Sequence, residues 1–275
     1  MYQKSYKIYW GDEISMLDIF LAEFNIQTFL FLSITCFIAA FVDAIAGGGG
    51  LISVPAFVAS GLPIHVAMGT NKMAASFSVL GSAVKYFTSG NINFSLLKYP
   101  MITGAIGSVL GTCVVSNTSE EVLEPLIFIM LLAVIIYTFM NKNMGIKDEF
   151  QGITLKNNII GSFMSFIVCF YIGFFGPGGG SFLLFGLLKI YKIDFIKASG
   201  NAKVLNLIAN IASLITFIYF GNVSYLYSIL VGFVMFIGAQ CGAKYVIKKG
   251  SKFIRPFFIA VSFITIAKMA IEKFL

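Results

Sequence analysis

Charge is scarce in this chain. Only 11% of its 275 residues are Asp, Glu, Lys or Arg, against about 25% in a typical soluble domain. Hydrophobic residues make up 58%, and the mean hydropathy is +0.91. So little polar surface cannot cover so apolar an interior, and lipid is the expected solvent. Histidine occurs once, at His65. No HExxH pair, Ser/His/Asp set or paired carboxylates are present, so nothing supports an enzyme, and no cofactor or metal is expected. The four cysteines, Cys36, Cys113, Cys169 and Cys241, lie in apolar segments without CxxC spacing. They read as packing residues rather than metal ligands or disulfides. Arginine occurs once, and the net charge of +7 is spread over loops without a dense basic block, which argues against a nucleic-acid partner.

What the chain has is apolar runs. They fall near 27–46, 50–60, 66–88, 95–117, 121–141, 157–176, 179–190, 199–220, 222–243 and 254–274. A spanning helix needs roughly 20 apolar residues. The runs at 50–60 and 179–190 are too short, and each follows a glycine run that breaks the helix. Each is expected to form a hairpin with the segment before it, its tip near the membrane midplane. Freed backbone groups at that depth need protein or water around them. No cleavable signal peptide is expected, because Asp12, Glu13, Asp18 and Glu23 precede the first run. Ile14, Leu17, Leu21 and Phe24 share a helical face and predict an interfacial arm over 1–26.

The chain also repeats itself. Gly47, Gly48, Gly49 and Gly50 are followed by Gly69-Thr70-Asn71-Lys72, then by Gly90-Asn91. Gly178, Gly179 and Gly180 are followed by Gly200-Asn201-Ala202-Lys203, then by Gly221-Asn222. The offset from Lys72 to Lys203 is 131 residues, and it recurs between Gly107 and Gly238 and between Pro125 and Pro256. A repeat this long is one structural unit used twice.

Lysine distribution gives the direction of each copy. Lys85 and Lys98, Lys142 to Lys156, Lys189 to Lys197, and Lys244 to Arg255 mark four loops. The loop at 117–124 carries Glu120, Glu121 and Glu124 and no base. If the basic loops are cytoplasmic, the first hairpin enters from outside and the second from inside. The expected fold is therefore an all-α polytopic membrane protein of about 8–10 membrane segments. It has two inverted-topology repeats, each a glycine-broken hairpin plus three spanning helices. Its units are an extracytoplasmic arm at 1–26, repeats at 27–141 and 157–275, and a cytoplasmic linker at 142–156. Both termini then lie outside the cytoplasmic membrane.

Candidate chemistry gathers at the repeated motif. Neither glycine run matches GxGxxG, since Ile52 and Ser181 occupy the sixth position, and neither is a P-loop. The runs serve either close helix packing or half-helix N-termini that favour an anion. Lys72 and Lys203 either face a cavity and bind the anion, or pair with backbone carbonyls. Lys203, Asn206, Asn210 and Ser213 share one helical face, whereas Lys72, Ser76 and Val79 form a drier one. Asp43, whose counterpart falls near the apolar Gly173 and Phe174, is either a proton-coupling carboxylate or an ion-pair partner of Lys72 or Lys203. His65 reads as a surface residue. The candidate substrate-binding set is Gly48, Gly49, Gly50, Thr70, Asn71, Lys72, Gly178, Gly179, Gly180, Asn201, Lys203, Asn206 and Asn210.

The arrangement Asp43-Ala-Ile-Ala-Gly-Gly-Gly-Gly-Leu-Ile-Ser-Val-Pro55, followed by Ala67-Met-Gly-Thr-Asn-Lys72, resembles the TauE/SafE-type sulfite and organosulfonate exporter family. Gly176-Pro-Gly-Gly-Gly180 and Ala198-Ser-Gly-Asn-Ala-Lys-Val-Leu-Asn206 are similar to that family's second repeat. The likeness covers about residues 27–275. It implies export of a small sulfur-containing anion across the cell membrane, and the inverted halves add the expectation of alternating access around a midplane site. The alternatives are an anion channel, an uptake permease for another small anion, or a membrane scaffold. Expected partners are the anion and the bilayer, with protons a candidate coupling ion and a homodimer a candidate assembly.

Overall fold

The computed structural model describes residues 25–123, 125–126, 129 and 149–249, and every regular element among them is a helix. Eight helices lie wholly within this range: α1 (Ile26–Ala46), α2 (Gly50–Ala59), α3 (Ile64–Thr88), α4 (Phe94–Ser116), α5 (Leu155–Phe174), α6 (Gly179–Tyr191), α7 (Phe195–Tyr219) and α8 (Tyr225–Lys249); residues 120–123 are also helical. The interfacial arm, most of the run at 121–141 and the run at 254–274 lie outside the described residues, as do both termini.

Local chemistry explains the ends. Asn25, Asn93, Thr154 and Asp194 cap α1, α4, α5 and α7, each side chain accepting from first-turn amides. The short helices α2 and α6 are headed instead by Gly49 and Gly178, with no side-chain cap. Gly47 ends α1 in the left-handed region, φ 80°, where a side chain would strain the backbone.

α1, α4, α5, α7 and α8 are long and apolar enough to cross a membrane. α3 has the same 25 residues as α7 and is also long enough. It is less apolar because it carries Asn71, Lys72, Ser76, Ser78 and Ser82 on buried positions. Large apolar side chains point outward, among them Ile34, Phe163, Ile215 and Phe233. An outward apolar belt of this extent needs lipid, not water, around it.

Packing follows the repeat. α2 folds back on α1, and α6 on α5. α8 packs on α1 as α4 packs on α5; α3 packs on α8 as α7 packs on α4; α3 and α7 pack on each other. Glycines permit these approaches in matched pairs. A Cβ on Gly69 would strike the carbonyl of Asn222, and one on Gly200 that of Asn91. Gly107 and Gly111 lie against the carbonyls of Phe166 and Phe170, Gly238 and Gly242 against those of Phe37 and Phe41. Small residues bring backbones together where burial alone drives little association.

Candidate functional site

The two glycine turns meet. A Cβ built on Gly47 would lie 2.5 Å from the main chain of Gly180, so the start of α6 rests directly on the end of α1. Gly50 approaches Pro177 in the reciprocal way. Beside this contact is a cavity of about 40 Å³, lined by both turns and by α2, α3, α5 and α7. A water needs roughly 10–15 Å³ of such space, so the cavity holds about three waters or one small ion.

Lys72 reaches the cavity from α3 and Asn206 and Asn210 reach it from α7. Lys72 is 3% exposed, and its ammonium donates to the carbonyl of Ile172, near the C-terminal end of α5. That end carries the negative pole of the helix, which favours a cation. Among the described residues no carboxylate lies within ion-pair range of Lys72. Lys203 makes the corresponding bond to the carbonyl of Asp43, near the end of α1. Its ammonium also sits 2.6 Å from Asp43 Oδ2. Asp43 Oδ1 accepts from the amide of Gly49 at 3.2 Å, which ties the first glycine turn to the pair. The pair closes on itself, and Lys203 is absent from the cavity wall while Asp43 is part of it.

Of the sequence-predicted set, Gly49, Gly50, Asn71, Lys72, Gly180, Asn206 and Asn210 come together around the cavity, with Asp43. Gly48, Gly178, Gly179, Thr70, Asn201 and Lys203 do not line it. Thr70 Oγ1 accepts from the amide of Ser224, and Asn201 Oδ1 from that of Asn93, both at 2.9 Å. Ser213 is occupied by the Thr112 hydroxyl at 2.7 Å. His65 is mostly buried rather than a surface residue. Its Nε2 faces the carbonyls of Val115 and Thr118, and its Nδ1 faces Glu120 at 3.4 Å. The counterpart of Asp43, by its matched contact with a motif lysine, is Ile172, next to Gly173 and likewise apolar.

Sequence reasoning missed Ser53 and Ser78, which also line the cavity. Ser78 Oγ and Asn71 Oδ1 are buried and have no hydrogen-bond partner. Unpaired buried polar atoms beside a cavity are costly unless a ligand or water completes them.

The model of the sulfite exporter TauE/SafE family matches residues 32–269. The chain belongs to the TauE/SafE family. It is 34% identical over 241 residues to a probable membrane transporter protein of Haemophilus influenzae, covering 86% of this chain and 92% of that one. It is 33% identical over 239 residues to the probable membrane transporter protein ORF9 of a Sinorhizobium species, covering 87% and 90%. It is 31% identical over 244 residues to the probable membrane transporter protein YfcA of Escherichia coli K12, covering 86% and 87%. No solved structure matches it. The chain is thus a multi-pass membrane transporter of the TauE/SafE type. The motif that carried the resemblance, Asp43 to Lys72, supplies most of the first-half wall of the TauE/SafE cavity described above.

Proposed function

We propose that this TauE/SafE protein is a secondary transporter that exports a small sulfur oxyanion across the cytoplasmic membrane by alternating access. The observation that carries the reading is Lys72: a buried cation without a carboxylate, on the wall of a cavity between two glycine-headed half-helices. Such a cation at membrane depth costs at least about 2.5–3.5 kcal/mol on insertion scales. An anion in the cavity offsets that cost. It also takes hydrogen bonds from the Asn206 amide and from the Ser53 and Ser78 hydroxyls, which suits the several oxygens of a sulfur oxyanion. The amides of Gly50 and Gly180, with no backbone acceptor among the described residues, add two further donors.

Alternating access rests on the repeat. Residues 27–141 and 157–275 act as two units of opposite orientation, joined by a cytoplasmic linker at 142–156. The matched packing pairs and the lysine-rich loops support an axis in the membrane plane between them. Rocking one unit on the other would expose the same cavity to each side in turn. A cavity of about 40 Å³ favours an inorganic oxyanion over a bulky organosulfonate.

Purified protein in proteoliposomes preloaded with unlabelled sulfite should draw in labelled sulfite by counterflow. Lys72→Ala should lower counterflow by roughly 10- to 150-fold while the protein stays monodisperse. Flux without counterflow would make the protein a channel, and full counterflow by Lys72→Ala would remove the proposed site.

A further inference from the structure

The charges around the cavity specify more than an anion. Four ionisable side chains surround it or support its walls: Lys72, Asp43 and Lys203, with Cys169 beside Lys72. Tyr86 lies near Asp43, its hydroxyl donating to the carbonyl of Ala44. A thiol and a phenol in their ordinary forms carry no charge at neutral pH. Asp43 and Lys203 are opposite charges in contact and sum to zero. The cavity therefore presents one uncompensated positive charge, that of Lys72. A dianion would leave one negative charge unpaired in a buried site, and burying an unpaired charge costs several kcal/mol.

The hydrogen-bonding atoms add a second requirement. Asn71 Oδ1 is a buried acceptor with no donor. Asn206 Oδ1 already accepts from Asn210 Nδ2 at 2.9 Å, so it does not compete for one. A ligand that keeps an O–H supplies the donor that Asn71 lacks, while its remaining oxygens accept from Lys72 and the Ser78 hydroxyl.

We infer that the transported species is the singly protonated, singly charged form of the oxyanion: for sulfite, hydrogensulfite rather than the dianion. The inference rests on the anion-transport reading above and narrows it to one charge state.

Sulfite interconverts between monoanion and dianion near neutral pH, so pH sets the species offered, and competitors of fixed charge separate that effect from titration of the protein. Initial counterflow rates would be measured in proteoliposomes at several total sulfite concentrations between pH 6 and pH 8.5, with sulfate and methanesulfonate as competitors. The half-saturating concentration should stay constant within about twofold when expressed as hydrogensulfite, and rise with pH when expressed as total sulfite. Sulfate, a dianion throughout, should compete weakly. Methanesulfonate, a monoanion without an O–H, should compete better than sulfate and worse than hydrogensulfite. A half-saturating concentration constant in the dianion or in total sulfite would overturn the inference, and so would sulfate competing as well as hydrogensulfite. Absence of any counterflow would overturn the transport reading instead.

Asp43→Asn sharpens the test. It leaves Lys203 uncompensated and raises the site charge by one, so sulfate competition should strengthen by at least tenfold relative to methanesulfonate. Unchanged relative competition in a folded Asp43→Asn protein would count against the charge assignment. Should that variant not fold, the wild-type competition series decides alone.

Discussion

Lys72 and Lys203 do the same thing to the backbone and different things to the site. Each caps the end of the first hairpin helix in the opposite half, by donating to the carbonyl of Ile172 or of Asp43. Lys203 then finds a carboxylate, and Lys72 finds a cavity. A duplicated scaffold can thus keep its packing symmetric while its chemistry is not. One side chain, Asp against Ile, separates a structural ammonium from one with charge to spare.

The comparison can be broken most severely at Lys203. Lys203→Ala leaves Asp43 buried and unpaired, and should destabilise the protein by roughly 3–5 kcal/mol in detergent unfolding curves. The double variant Asp43→Ala with Lys203→Met should recover much of that loss, because no buried charge is stranded. Lys72→Ala should show the opposite balance, with little loss of stability. Its flux should fall roughly 10- to 150-fold, the value of one hydrogen bond from a charged group. Equal effects from the two lysines on both stability and flux would erase the distinction.

Smaller effects sharpen the scaffold side. Gly180→Ala places a methyl group against Gly47 and should cost about 1–3 kcal/mol, read as a lower unfolding midpoint. Thr70→Val and Asn201→Leu should behave alike, each losing about 1 kcal/mol of stability by orphaning an amide in the opposite half, with an unchanged half-saturating anion concentration. A raised half-saturating concentration in either would return that residue to the binding set.

The helices were legible because their causes are local. Apolar runs set the spans, and the glycine runs set the breaks, so α1, α2, α4 and α6 fall within a residue or two of where the sequence puts them. The site was legible only in part, for a geometric reason. Thr70, Asn71 and Lys72 are consecutive, and successive side chains on a helix turn by about 100°. Lys72 and Asn71 reach the cavity, while Thr70 faces the start of α8. Ser53 and Ser78 gave no signal, since serine is common wherever membrane helices pack closely. The match of Asp43 with Ile172 depends on the short helices, 10 residues in α2 and 13 in α6, and only contacts across the halves reveal it.

The closed pair of Asp43 and Lys203 has an electrical consequence. With that pair neutral, the site favours the proposed monoanion, and each cycle that carries it moves one elementary charge across the membrane. Such a charge is worth about 2.3 kcal/mol per 100 mV. In a cell negative inside, this term drives the anion outward and sustains a concentration ratio of roughly fiftyfold per 100 mV. The membrane potential alone would then power efflux of the proposed monoanion, without a coupling ion.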